Sequence, residues 1–255
     1  MASVSLYAIA SVVIVSLVSF AGIIAMFWDK NKIDHLLISF ISLSAGTLFG
    51  GAFLHLIPEA VEGHGSFSIS VSFLILAGII VFFLLDKLIH WKHFHSHSTL
   101  IHEGEHKKSI IYLNLLGDGI HNLLDGLVIA GSYMVSIPTG IAATVAVVAH
   151  EFPQELVDFG VLLYSGLRKW KAMLFNFLSA LTAVIGAVIG LALGSGSERF
   201  ILGVIPFAAG AFIYIAGSNL IPELLSKEHK IKQLVQQLFM FVLGILIMYA
   251  LLFLE

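Results

Sequence analysis

Cysteine is absent from these 255 residues. That excludes a disulfide framework and any thiolate metal site. Charge is scarce: 11% of the residues are Asp, Glu, Lys or Arg, 58% are hydrophobic, and the mean hydropathy is +1.00. An ordinary soluble domain carries about 25% charged residues. The polar gaps are mostly too short to form a separate soluble domain, and no nucleic-acid partner is expected. The opening "MASVSLYAIASVVIVSLVSF" lacks the basic start of a cleaved signal and is expected to be a first span. What the chain does have is a series of apolar runs of about 18 residues or more, which read as transmembrane helices.

Eight spans are predicted, near residues 5–28, 36–60, 67–89, 110–135, 141–166, 172–195, 200–224 and 235–254. The fold class expected is an all-α polytopic membrane protein, with residues 1–255 as one transmembrane domain. Twelve of the 13 basic residues fall in the loops after spans one, three, five and seven, and only Arg199 lies on the other side. The positive-inside rule makes the basic side cytoplasmic and puts both termini outside. The short loops suit a plasma (inner) membrane of a prokaryotic kind. Residues 90–109, "HWKHFHSHSTLIHEGEHKKS", are the one sizeable loop and hold six of the twelve histidines. They are expected to be a flexible cytoplasmic His tract that either collects divalent cations weakly or simply links two spans.

Two spans break the apolar rule. Span four carries "NLLGDGIHNLLDG", placing Asn114, Asp118, His121, Asn122 and Asp125 within an arc of about 100° at helical spacing. Span five carries "HEFPQELVD", placing His150, Glu151, Gln154, Glu155 and Asp158 within about 140°. The spans run in opposite directions, so the two polar faces meet near the bilayer centre. A charge there costs at least about 2.5–3.5 kcal/mol, and five carboxylates on adjacent spans require protons or cations. Imidazole with carboxylate suits zinc, iron or manganese, whereas an all-oxygen set would suit magnesium or calcium. Pro153 removes a backbone donor, frees the carbonyl of Ala149 and is expected to break the helix at mid-membrane.

"HLIPEA" at 55–60 and "NLIPEL" at 219–224 share Leu-Ile-Pro-Glu at the ends of spans two and seven. These spans run in opposite directions. An inverted repeat of spans 1–3 and 6–8 around spans 4–5 would place the two copies near opposite surfaces. His55 and Glu59 would then line the outer mouth, with Glu62 and His64 nearby. Asp118, Asp158, Asn176 and Glu223 would line the cytoplasmic exit. Gly186, Gly190 and Gly194 recur every four residues along span six and suggest close helix packing.

"HNLLDGLVIAGS" resembles the fourth-span HNxxDG signature of ZIP (Zrt/Irt-like) metal importers. "HEFPQELVDFGVLLYSG" resembles the fifth-span HExPHExGDF signature of one of their subfamilies. The resemblance extends over nearly the whole chain. It implies a metal centre of one or two ions between spans four and five, formed by His121, Asn122, Asp125, His150, Glu151, Gln154 and Glu155. It also implies a homodimer and an elevator-like movement of one bundle against another. The chain departs from the pattern at Gln154, where the subfamily has His, and at Val157, where the family usually has Gly. Ala183 stands where some bacterial relatives have Glu.

The expected function is import of a divalent metal, zinc foremost, with iron, manganese or cadmium as further cargoes. No resident cofactor and no enzymatic activity are expected. Two alternatives stay open at this point. One is an intramembrane zinc protease using Glu151 as general base, although such a site needs a second His at Gln154. The other is a membrane metal sensor that binds without transport.

Overall fold

The computed structural model describes residues 2–23, 30–95, 103–194, 197–225 and 231–254, and all of its regular structure is helical. The helices are α1 (Ala2–Val18), α2 (Lys30–Gly50), α3 (Ile57–His64), α4 (Ile69–His95), α5 (Glu103–Val135), α6 (Ile137–Tyr164), α7 (Lys169–Ala180), α8 (Thr182–Gly194), α9 (Glu198–Tyr214), α10 (Ile221–Leu225) and α11 (Ile231–Leu251). Some of them are continuous. A π-helical stretch, Gly51–Leu56, joins α2 to α3, and a second, Ile215–Leu220, joins α9 to α10. Helices α7 and α8 meet at Leu181. The described residues thus form eight rods.

Six rods are long and apolar enough to cross a membrane, and this is an integral multi-pass membrane protein. The two outside that group are α5 and α6, which carry the polar faces.

Local chemistry explains several helix ends. Ser136 caps α6, its hydroxyl accepting from the Thr139 N–H, with Pro138 in the first turn where a missing donor costs nothing. Gly65 ends α3 at φ 74°, a conformation that favours glycine. The stretch expected as a loop at 90–109 is shorter than that: residues 90–95 continue α4 and 103–109 begin α5. Lys107 and Lys108 are ordinary helix formers, so they extend the span rather than interrupt it. His97 and His102, the middle of the expected His tract, lie outside the described residues.

The rods pack as two bundles. One contains α1, α5, α6, α7 and α8, and the other contains α2, α4, α9 and α11 with their short continuations. Close approach is set by small residues. A Cβ on Gly186 would collide with the Leu123 carbonyl, and one on Gly126 with the Ala183 carbonyl, so α8 lies directly against α5. In the second bundle, Gly46 meets the Phe241 carbonyl and Gly244 meets the Leu43 carbonyl. Gly210 meets the Ile75 carbonyl and Gly78 meets the Phe207 carbonyl in the same relation. Each π-helical stretch also stands directly before an Ile-Pro-Glu step, Ile57-Pro58-Glu59 in one case and Ile221-Pro222-Glu223 in the other.

Candidate metal centre

The centre is built where α5 and α6 cross. On α5, His121 and Asp125 are one turn apart and therefore share a face. On α6, His150 and Glu151 are neighbours in sequence, and both are directed to the same point. His150 Nε2 lies 3.2 Å from His121 Nε2, 3.1 Å from Asp125 Oδ2 and 3.5 Å from Glu151 Oε1. His121 Nε2 lies 3.3 Å from Glu151 Oε1 and 3.7 Å from Asp125 Oδ2.

These five separations bracket the ligand spacing of a tetrahedral shell. An ion with bonds of about 2.0–2.1 Å holds its ligand atoms about 3.3–3.4 Å apart. His150 Nδ1 donates to the Ala146 carbonyl at 3.0 Å, which leaves Nε2 with its lone pair toward the other three ligands. Asp125, His150 and Glu151 are buried, while His121 retains some exposure on one side.

A second, all-carboxylate group shares Glu151. Oxygens of Asp118, Glu151 and Glu155 lie within 4.8 Å of one another, and all three residues are buried. Neighbours restrain them. Asn122 Nδ2 donates to Asp118 Oδ1 at 2.9 Å, Ser179 Oγ donates to Asp118 Oδ2, and Asn176 Nδ2 donates to Glu155 Oε2. Among the described residues, Glu151 Oε2, Glu155 Oε1 and Asn122 Oδ1 are buried without a hydrogen-bond partner. Buried oxygens in that state carry a large desolvation cost, which a cation would offset.

A cavity of about 190 Å³ opens beside His121 and Asp118, lined also by Asp86, Asn114, Gln154, Asp158, Tyr214 and Asn219. It is continuous in its lining with a wider opening that shares Asp86, Gln154, Asp158 and Asn219 and reaches Glu223. Among the described residues, no Lys or Arg lines either one. On the opposite side of the centre the crossing is filled by Val128, Ile129, Ala142, Ala146 and Val147, backed by Leu48, Ala52, Ile205 and Phe212.

The expected residues divide accordingly. His121, Asp125, His150 and Glu151 come together as one quartet, and Glu155 joins Asp118 in the second group. Asn122 holds Asp118, and Gln154 lines the cavity with Asp158. The structure places the other expected path residues as follows. His55 is buried in this arrangement, with Nε2 2.8 Å from the Met248 carbonyl, where the π-helical turn directs it at α11. Glu59 lines a separate, mainly apolar hollow between α3 and α9. Asn176 is fully buried against Glu155 and lines neither of the two cavities.

One expectation is corrected: Pro153 does not break α6, and the helix runs unbroken from Ile137 to Tyr164. Ser44 Oγ donates to the Ala149 carbonyl, which Pro153 cannot reach as a donor. Asp86, which accepts from Tyr214 Oη at 3.0 Å, was not anticipated. Its signal was a lone acid inside "VFFLLDKL". Ser44 and Ser179 had no comparable signal among many serines.

With this geometry in hand, sequence comparison decides the lineage. A family model described as ZIP Zinc transporter matches residues 2–109 and 95–252. The chain belongs to the ZIP family. It is 34% identical over 221 residues to the zinc transporter ZIP13 of Pongo abelii, a match covering 82% of this chain and 64% of that protein. It is 30% identical over 267 residues to the zinc transporter ZIP13 homolog of Drosophila melanogaster, covering 82% and 75%. It is 38% identical over 142 residues to human zinc transporter ZIP10, covering 53% of this chain and 17% of that one. This ZIP chain therefore spans under two thirds of the Pongo protein's length. ZIP proteins are transporters and not enzymes, which removes the protease alternative.

Proposed function

We propose that this ZIP protein carries divalent metal, zinc above all, across a membrane toward the side bearing its Lys-rich loops, the cytoplasm. The observation that carries this reading is the quartet of His121, Asp125, His150 and Glu151, with ligand atoms 3.1–3.7 Å apart where two polar rods cross. Two imidazoles and two carboxylates suit Zn²⁺, with Fe²⁺, Mn²⁺ and Cd²⁺ as competitors. The names of the relatives, all zinc transporters, point the same way.

In this reading eight rods span the membrane and both termini lie outside. An ion at the quartet sheds water onto His121, Asp125, His150 and Glu151. It moves to Asp118 and Glu155 through the shared Glu151, then leaves past Gln154, Asp158, Asp86 and Glu223. The path is acidic throughout, which favours a cation without a single deep trap. The packed apolar side must open for the ion to enter, so transport requires alternating access. The matched glycine contacts of α2 with α11 and of α9 with α4, together with the matched π-helical turns, support an inverted repeat around α5 and α6. An elevator-like movement and a homodimer complete the proposal, and cross-linking in membranes checks the dimer.

The test is zinc uptake into proteoliposomes. Asp125→Ala with Glu151→Ala should reduce uptake to the level of empty vesicles, and wild-type rates in that double variant would sink the proposal. Tight zinc binding by the wild type without flux would instead favour the sensor. Competition among Zn²⁺, Fe²⁺, Mn²⁺ and Cd²⁺, in the wild type and in Gln154→His, reads the selectivity.

A further inference from the structure

Proline at 153 sets a problem beside two metal ligands. A proline inside a helix has no N–H for the carbonyl four residues back, and its ring crowds that carbonyl. Here that carbonyl belongs to Ala149, directly before His150 and Glu151. An unpaired carbonyl in a membrane interior costs several kcal/mol and would loosen this turn.

The neighbouring bundle supplies the missing donor. Ser44 on α2 is fully buried, and its Oγ lies 2.5 Å from Ala149 O. The same hydroxyl lies 2.6 Å from its own Phe40 O, so one proton serves two acceptors. The Phe40 ring packs on the Phe152 ring, with centroids 4.3 Å apart, on the residue just before the proline. Two contacts from one turn of α2 therefore bracket the turn of α6 that presents His150 and Glu151.

We propose that Ser44 is a positioning residue of the metal centre: its hydroxyl replaces the backbone donor removed by Pro153 and holds His150 and Glu151 in register with His121 and Asp125. This rests on the metal-transport reading. Because Ser44 belongs to the other bundle, the quartet is fully held only while the two bundles are in the arrangement seen here. Ion affinity is thereby tied to bundle position.

The experiment measures equilibrium zinc binding by the full-length protein in detergent, by chelator competition, for the wild type, Ser44→Ala, Ser44→Thr, Pro153→Ala and the Ser44→Ala/Pro153→Ala pair. Ser44→Ala should weaken binding by about tenfold, the range of second-shell losses. Ser44→Thr, which keeps the hydroxyl, should bind within about twofold of the wild type. Pro153→Ala restores an N–H within the helix, so in that background the Ser44→Ala loss should shrink to about twofold or less. A serine that merely fills space would cost the same in both backgrounds. An undiminished loss in the Pro153→Ala background therefore overturns the proposal, as does wild-type affinity in Ser44→Ala. If Ser44→Ala does not fold, the pair is expected to fold because its backbone bond is restored, and its failure to do so also counts against the proposal. No zinc binding by the wild type would instead overturn the metal-site reading itself.

Discussion

The crossing of α5 and α6 has two unlike halves. On the side of the Lys-rich loops it is hollow and polar, with Asp118, Asp158, Gln154 and Asn114 around a cavity. On the other side it is solid and apolar, with Val128, Ile129, Ala142, Ala146 and Val147 in one continuous core. The quartet of His121, Asp125, His150 and Glu151 lies between them. The contrast teaches that the site communicates with one side only in this arrangement, and that the barrier is packing rather than charge. Close packing of small side chains excludes water as effectively as a large plug, because no void remains for it to enter.

Four predictions test the contrast. The largest effect should come from the residue shared by both groups: Glu151→Gln is expected to lower zinc uptake by about a hundredfold or more, since it removes a ligand charge from each group at once. Retained uptake would mean the two groups do not act as one path. Next, the absence of cysteine permits clean single-thiol labelling. Asn219→Cys, on the hollow side, should react with a membrane-impermeant thiol reagent on the order of a hundredfold faster than Val147→Cys, which is fully buried. Equal rates would abolish the comparison.

A smaller effect is expected at Ser179, which supports the hollow side by donating to Asp118. Ser179→Ala should weaken zinc binding by about tenfold while leaving the quartet residues in place. The smallest effect concerns the helix contacts that both halves share. Gly46→Ala and Gly210→Ala should each destabilise the detergent-solubilised protein by about 1–3 kcal/mol, because each new Cβ meets backbone. Gly203→Ala, with open space around it, should change stability by less than about 0.5 kcal/mol in thermal unfolding. A cost at only one of Gly46 and Gly210 would speak against the repeat.

Much of this was legible in the residues. Helical periodicity placed His121 with Asp125, and the carboxylates in an otherwise apolar span marked the crossing as functional. The family was legible too, since "HNLLDG" and "HEFPQE" carry chemistry as well as pattern. The contact of His55 with α11 was not legible, because a π-helical turn rotates its side chain by an amount that an ordinary helical wheel does not contain. The contact of Asn176 with Glu155 was not legible either, because both roles, lining and holding, use the same amide. Only its neighbour Glu155 tells them apart.

Pro153 shows where the boundary lies. The sequence by itself determined that the Ala149 carbonyl would lose its helical donor, since that follows from covalent structure alone. It determined the membrane class, the two polar faces and the types of ligand for the same reason: composition and period are local properties. Whether the helix then broke, and what answered the vacant carbonyl, depended on a serine 105 residues earlier. Only tertiary structure decided that. Hydrogen bonds and close packing between distant segments depend on how two rods are juxtaposed, and periodicity in either rod carries no record of the other's rotation.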